Sequence, residues 1–117
     1  NMDNSYGQFR GVYLQANEYV KPIFRAWMEP LQDLSFNTLS ILNTGSTDHM
    51  SFDRAGLPGF QFIQDRMDQG RGAGHTNNDF FERLTEKDLQ INAVIMASFL
   101  YHAAMRDDKI PRKSFPK

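Results

Sequence analysis

Apolar residues recur along this chain with two different periods. Val20, Ile23, Phe24, Trp27, Met28 and Leu31 fall three, four and seven positions apart, the stripe of an amphipathic helix, with Lys21, Arg25, Glu29 and Gln32 opposite. Asn17 is placed to cap this helix. Pro22 sits near its first turn, where a missing N–H costs least, and Pro30 is expected to end or kink it. A second helix is predicted behind Thr85-Glu86-Lys87-Asp88, which resembles a capping box with Asp in place of the usual Glu. Leu89, Ala93, Met96, Leu100 and Ala103 mark its apolar stripe, and Pro111 closes the segment.

The other period is two. Residues 9–15 (FRGVYLQ) carry β-branched and aromatic side chains with Val12 and Leu14 pointing one way, which predicts a short strand. Residues 38–42 (TLSIL) alternate between Asn37 and Asn43-Thr44-Gly45 and predict a second strand; residues 59–64 (GFQFIQ), opened by Leu57-Pro58-Gly59, predict a third. Between these two, residues 51–55 have room for one helical turn. Residues 65–78 turn polar and glycine-rich, with no hydrophobic period, and are expected to form a long loop, of the kind that is either functional or mobile. The order strand, helix, strand, strand, helix predicts the α/β class, with helices covering a largely buried sheet.

Length and composition narrow the picture. The 117 residues suit one small domain, and 40% hydrophobic with 23% charged residues excludes a disordered or low-complexity chain. Net charge is −1, so there is no excess positive field to attract nucleic acid or an anionic membrane surface, and neither is expected as a partner. No window approaches the ~18 consecutive apolar residues of a membrane span. With no cysteine, disulfides and thiolate chemistry are out, and any metal has to be held by histidines and carboxylates. The chain opens Asn1-Met2-Asp3-Asn4, without an initiator methionine or a signal segment, and is therefore expected to be a piece of a longer protein. The basic tail 112–117 is expected to fray.

Three histidines are present. His102 lies inside the last predicted helix, on the face of Ile91, Ile95 and Ser98, and is read as structural. His75 ends the glycine-rich loop in Gly74-His75-Thr76-Asn77-Asn78-Asp79, where a side chain can be aimed into a cleft or simply be solvated. Thr47-Asp48-His49 follows a strand and a Gly-Ser turn, at the carboxyl edge where open α/β sheets bind ligands, although Asp48 could equally cap the short helix behind it. Asp3 paired with His75 offers one oxygen and one nitrogen, a donor set that suits zinc, but two ligands are half a site. No GxSxG elbow, P-loop, GxGxxG or HExxH is present, and Gly70-Arg71-Gly72-Ala73-Gly74 lacks the Lys-Ser/Thr and helix start of a phosphate cradle.

The runs Asn43-Thr44-Gly45-Ser46-Thr47-Asp48-His49-Met50-Ser51-Phe52, Ala55-Gly56-Leu57-Pro58-Gly59-Phe60-Gln61-Phe62-Ile63-Gln64-Asp65 and His75-Thr76-Asn77-Asn78-Asp79, in this order, resemble the C-terminal part of the two-zinc exopeptidases. That superfamily includes bacterial leucyl aminopeptidases, plasma glutamate carboxypeptidase and the one-zinc glutaminyl cyclases. The resemblance runs from about residue 1 to residue 113. It implies a three-layer α/β/α fold with a mixed sheet, of which residues 1–117 are a single partial domain.

The resemblance also implies roles. His75, directly before a threonine, matches the last zinc ligand, and Asp3, in an N-x-D-N segment, matches the aspartate on the other zinc. Asp48 and His49 match positions lining the active site, and Asp79 a supporting residue that shapes the loop. In the family two zincs about 3.5–4 Å apart share an aspartate and a water, and a glutamate serves as general base on that water. The family's HxD segment, bridging aspartate and Glu-Glu pair have no counterpart in these 117 residues. The resemblance therefore implies zinc as cofactor and a peptide substrate in a longer protein, with this part alone inactive and the general base upstream. It further implies secretion or periplasmic export, and sheet edges left open would favour a homo-oligomer. Two other classes compete: a non-catalytic binding or dimerisation module on the same fold, and a glutaminyl-cyclase-like acyltransferase.

Overall fold

A computed structural model describes residues 1–3, 5–66, 76–77, 79–114. Among these residues three strands form one mixed sheet in the order β2-β1-β3, with β1 at Phe9–Tyr13, β2 at Thr38–Ser40 and β3 at Gln61–Gln64. The helices are α1 (Lys21–Met28), α2 (His49–Arg54) and α3 (Glu86–Ala104). The chain is thus of the mixed α/β class, and each strand lies inside its expected segment but is shorter.

β1 and β2 run parallel with Gly11 opposite Thr38 and Val12 opposite Leu39. A parallel pair needs a long crossover, which α1 and the 3-10 turn behind it supply. The strands approach so closely that a Cβ on Gly11 would lie 1.9 Å from the Thr38 carbonyl oxygen. β3 pairs antiparallel with β1, Val12 opposite Phe62, with an irregularity between Phe9 and Gly11. There Asn92 of α3 takes over the backbone: its Oδ1 accepts from the Phe9 N–H at 2.6 Å and its Nδ2 donates to the Gly7 carbonyl at 3.1 Å.

The core lies where α1 and α3 meet the sheet. Phe9 stacks on Phe62 with ring centroids 4.2 Å apart, and Phe99 packs edge-on to Phe24, Trp27, Phe36 and Phe62. The stripe of α1 buries as its spacing predicts, with only Ile23 partly open, and its polar face is exposed. The α-helix stops at Met28, and Glu29–Leu34, carrying Pro30, continues as 3-10 turns.

Several local expectations are corrected. Asn17 precedes a 3-10 turn, Glu18–Val20, and caps nothing with its side chain; its Nδ2 donates to the Pro111 carbonyl at 2.8 Å instead. Thr85 holds the N-cap position of α3 without a side-chain cap bond, so the capping box does not form. The packed stripe of α3 is Ile91, Asn92, Ile95, Met96 and Phe99; of the expected stripe Met96 packs against the core, whereas Ala93, Leu100 and Ala103 are exposed. A helix apolar nearly all round does not reveal its inner face by periodicity. His102 is half-buried and stacks on Trp27 at 5.8 Å, in keeping with a structural role.

The loop expected over residues 65–78 falls mostly outside the described residues. Beyond α3 the chain crosses back, and Lys113 Nζ bonds both Asp53, at 2.7 Å, and the Gln15 carbonyl, at 3.2 Å. No helix among the described residues is long and apolar enough to cross a membrane.

Candidate functional site

The loop leading from β2 to α2 is held to the sheet by a buried glutamine. Gln15, 1% exposed and left-handed at φ 51°, follows β1; its Nε2 donates to the Thr44 carbonyl at 3.0 Å and its Oε1 accepts from the Thr44 N–H at 2.7 Å. One side chain therefore satisfies both backbone groups of Thr44, fixing the run into Thr47-Asp48-His49.

His49 opens α2 and is 3% exposed. Its Nε2–H donates to the Thr44 carbonyl at 3.1 Å, and its Nδ1 meets the Thr47 hydroxyl in a short hydrogen bond. Burial pushes this imidazole below its ordinary pKa, and the Thr44 carbonyl opposes that only in part. With both nitrogens engaged by Thr44 and Thr47, His49 shapes the loop from inside. Its neighbour Asp48 is exposed and makes no side-chain cap bond to α2, so its carboxylate faces solvent. Gly59 lets the lead-in to β3 pass directly beneath α2, because a Cβ there would lie 2.5 Å from the His49 carbonyl oxygen.

Gln61, fully buried on β3, joins this loop to the start of the chain. Its Oε1 lies 2.8 Å from Asn1 Nδ2 and 3.1 Å from Thr47 Oγ1. The Thr47 hydroxyl has one hydrogen for two neighbours. It goes to Nδ1 while His49 is neutral, and is released toward Gln61 when the ring takes a proton. Asp3 lies two residues beyond Asn1 and is exposed. Asp79 is exposed and accepts a short hydrogen bond from the Tyr6 hydroxyl, which lifts the Tyr6 phenol above its ordinary pKa.

The structure therefore gathers the segments of Asp3 and Asp48 around Gln61 and ties Asp79 to the N-terminal segment through Tyr6. His75 lies outside the described residues. Among the described residues no three His, Asp or Glu side chains are grouped so as to hold a metal ion, and the pair of Asp3 and His75 is short of the three protein ligands that a catalytic zinc needs. Sequence reading missed Gln15, Gln61 and Tyr6. Burial of Gln61 had a signal in the sequence, its place between Phe60 and Phe62 at the start of β3, but the partners of its amide had none.

No family model, curated protein or solved structure matches the chain.

Proposed function

We propose that this chain is the C-terminal part of a two-zinc exopeptidase that removes a terminal residue from peptides, within a three-layer α/β/α fold completed by polypeptide outside these residues. The observation that carries the reading is the double contact of Gln61 Oε1, with Asn1 at 2.8 Å and Thr47 at 3.1 Å. Three runs that resemble the family, the N-x-D-N start, the Thr-Asp-His loop and the Phe-Gln-Phe-Ile-Gln strand, meet on that one amide. Two carboxylates of the resemblance, Asp3 and Asp48, thereby belong to segments pinned side by side, both open to solvent.

In this reading Asp3 and His75 each hold one zinc, and the remaining ligands and the general base are supplied from outside these 117 residues. Zinc, when bound, polarises the scissile carbonyl and lowers the pKa of its water. What these residues contribute is placement. Gln61 and Asn1 fix the entry of the Asp3 segment, Gln15 and His49 fix the loop bearing Asp48, and Tyr6 holds Asp79 against the N-terminal segment.

Release of terminal residues from peptides by the whole polypeptide tests this. The activity is expected to disappear with a zinc chelator, to return with zinc, and to fall at least about a hundredfold in Asp3→Asn and His75→Ala, the scale of losing a metal-held group. A whole polypeptide that takes up no zinc, or is indifferent to His75→Ala, overturns the reading in favour of a non-catalytic module. Conversion of an N-terminal glutamine peptide without hydrolysis would favour the acyltransferase.

A further inference from the structure

The chain leaves β1 through a turn that its own residues disfavour. The Asn17 N–H donates to the Leu14 carbonyl at 2.9 Å, and the two residues between, Gln15 and Ala16, are left-handed at φ 51° and 59°. A pair of left-handed residues in a turn suits glycine, asparagine or aspartate, because a Cβ strains that conformation. Glutamine and alanine have no such aptitude, so the turn persists through what bonds to it. The segment beyond α3 grips it twice. Asn17 Nδ2 donates to the Pro111 carbonyl at 2.8 Å. Lys113 Nζ donates to the Gln15 carbonyl at 3.2 Å while it is anchored on the Asp53 carboxylate at 2.8 Å. On the inner side, the Gln15 amide makes its two bonds to Thr44, four residues ahead of Asp48.

We infer that Lys113 is a positioning residue for the loop that bears Asp48, acting through Gln15. By holding the Gln15 carbonyl it keeps the turn left-handed, and the left-handed turn aims the Gln15 amide at Thr44. The same Thr44 carbonyl accepts from His49 Nε2–H, so the path from the C-terminal segment reaches the first residue of α2 in three contacts, Lys113 to Gln15, Gln15 to Thr44 and Thr44 to His49. A turn that relaxes to the right-handed region swings the Gln15 carbonyl away from Lys113 and changes the direction in which the side chain leaves the backbone. Thr44 then loses both bonds that Gln15 makes. Asp53 matters because a lysine is a long, flexible point charge: pinned at one acceptor, its ammonium stays within reach of the second. The inference rests on the proposed reading only for the role of Asp48, since the latch itself stands on these hydrogen bonds and dihedral angles.

Amide hydrogen exchange on the whole polypeptide tests the latch. Lys113→Met is expected to speed exchange of the Thr44 N–H at least about tenfold, while the Ile95 amide, buried in the middle of α3, keeps its protection and reports an intact fold. Ala16→Gly supplies the rescue that separates this role from the loss of an ion pair. Glycine takes the left-handed conformation without help, so Lys113→Met combined with Ala16→Gly is expected to bring Thr44 back to within about threefold of wild type. Thr44 exchange indifferent to Lys113→Met overturns the inference, and so does a double variant that exchanges as fast as Lys113→Met. Ala16→Gly alone removes one exposed methyl and covers the case in which Lys113→Met fails to fold. In it Thr44 is expected to exchange no faster than in wild type, and faster exchange overturns the inference. The readout uses neither zinc nor activity. Thr44 protection that depends on Lys113 in a polypeptide without zinc uptake keeps the latch and loses the peptidase, whereas zinc uptake with Thr44 indifferent to Lys113 does the reverse.

Discussion

Asn92, near the middle of α3, bonds the Phe9 N–H at 2.6 Å from a position 3% exposed, and so does for the start of β1 what a neighbouring strand would otherwise do. Gly7 is held twice, by Asn92 Nδ2 and by Gln64 Nε2, each at 3.1 Å. In Asn92→Leu the Gly7 carbonyl keeps Gln64, but the Phe9 N–H is left buried and unpaired. The expected loss is about 2–3 kcal/mol of folding stability, set by that orphaned donor, and urea unfolding of the variant against wild type measures it.

Gly11→Ala is expected to act on the sheet itself. Its new methyl would lie 1.9 Å from the Thr38 oxygen and 2.7 Å from Thr38 Cβ, so β1 and β2 have to part rather than a side chain turn aside. About 3 kcal/mol, the upper part of the range for overpacking, is expected. Faster amide exchange at Val12 and Tyr13 would locate the damage; unchanged exchange there would contradict the packing described.

His49 gives stability a pH dependence with a definite sign. Burial, opposed by the Thr44 carbonyl and by Asp53, lowers the folded-state pKa below 6.5, so the unfolded chain takes up the proton first. The contribution of the neutral ring is complete above about pH 6.5 and is lost as pH falls from there toward the lower folded value. Urea midpoints measured from pH 7.5 down to 5 are expected to fall, and a His49→Gln variant is expected to flatten that part of the curve. A midpoint that rises on acidification through this range would contradict the buried, neutral imidazole.

Lys113 and Asp53 pair at 2.7 Å with 23% and 15% of their side chains exposed. Lys113→Met leaves Asp53 without its cation and releases residues 112–114 from the Gln15 carbonyl. The expected cost is about 2 kcal/mol, below that of breaking a fully buried pair because water still reaches both groups. The change is expected to be smaller in 1 M salt, which thermal unfolding at two salt concentrations resolves.

The elements of this fold were legible where local chemistry is one-sided. The α1 stripe from Val20 to Leu31 has a polar back, so only one face could go inward, and Pro30 marks where α-helix gives way to 3-10 turns. α3 was legible as a helix and not as a face, because Val94, Leu100, Tyr101 and Met105 are as apolar as the residues that pack. The caps failed for a different reason: Asn17 is claimed by the distant Pro111 carbonyl, a partner no local pattern announces. At the candidate site, Asp3, Asp48, His49 and Asp79 were nameable from the runs they sit in. What holds their segments, the amides of Gln15 and Gln61 and the hydroxyl of Tyr6, acts across 29, 60 and 73 residues of sequence and becomes visible only in three dimensions.

Crystals of the whole polypeptide, measured at the zinc absorption edge, test the central claim most directly. Two anomalous peaks are expected, one about 2.0–2.2 Å from a carboxylate oxygen of Asp3 and the other about 2.0–2.1 Å from a ring nitrogen of His75. No peak, or peaks that touch neither residue, would contradict the account.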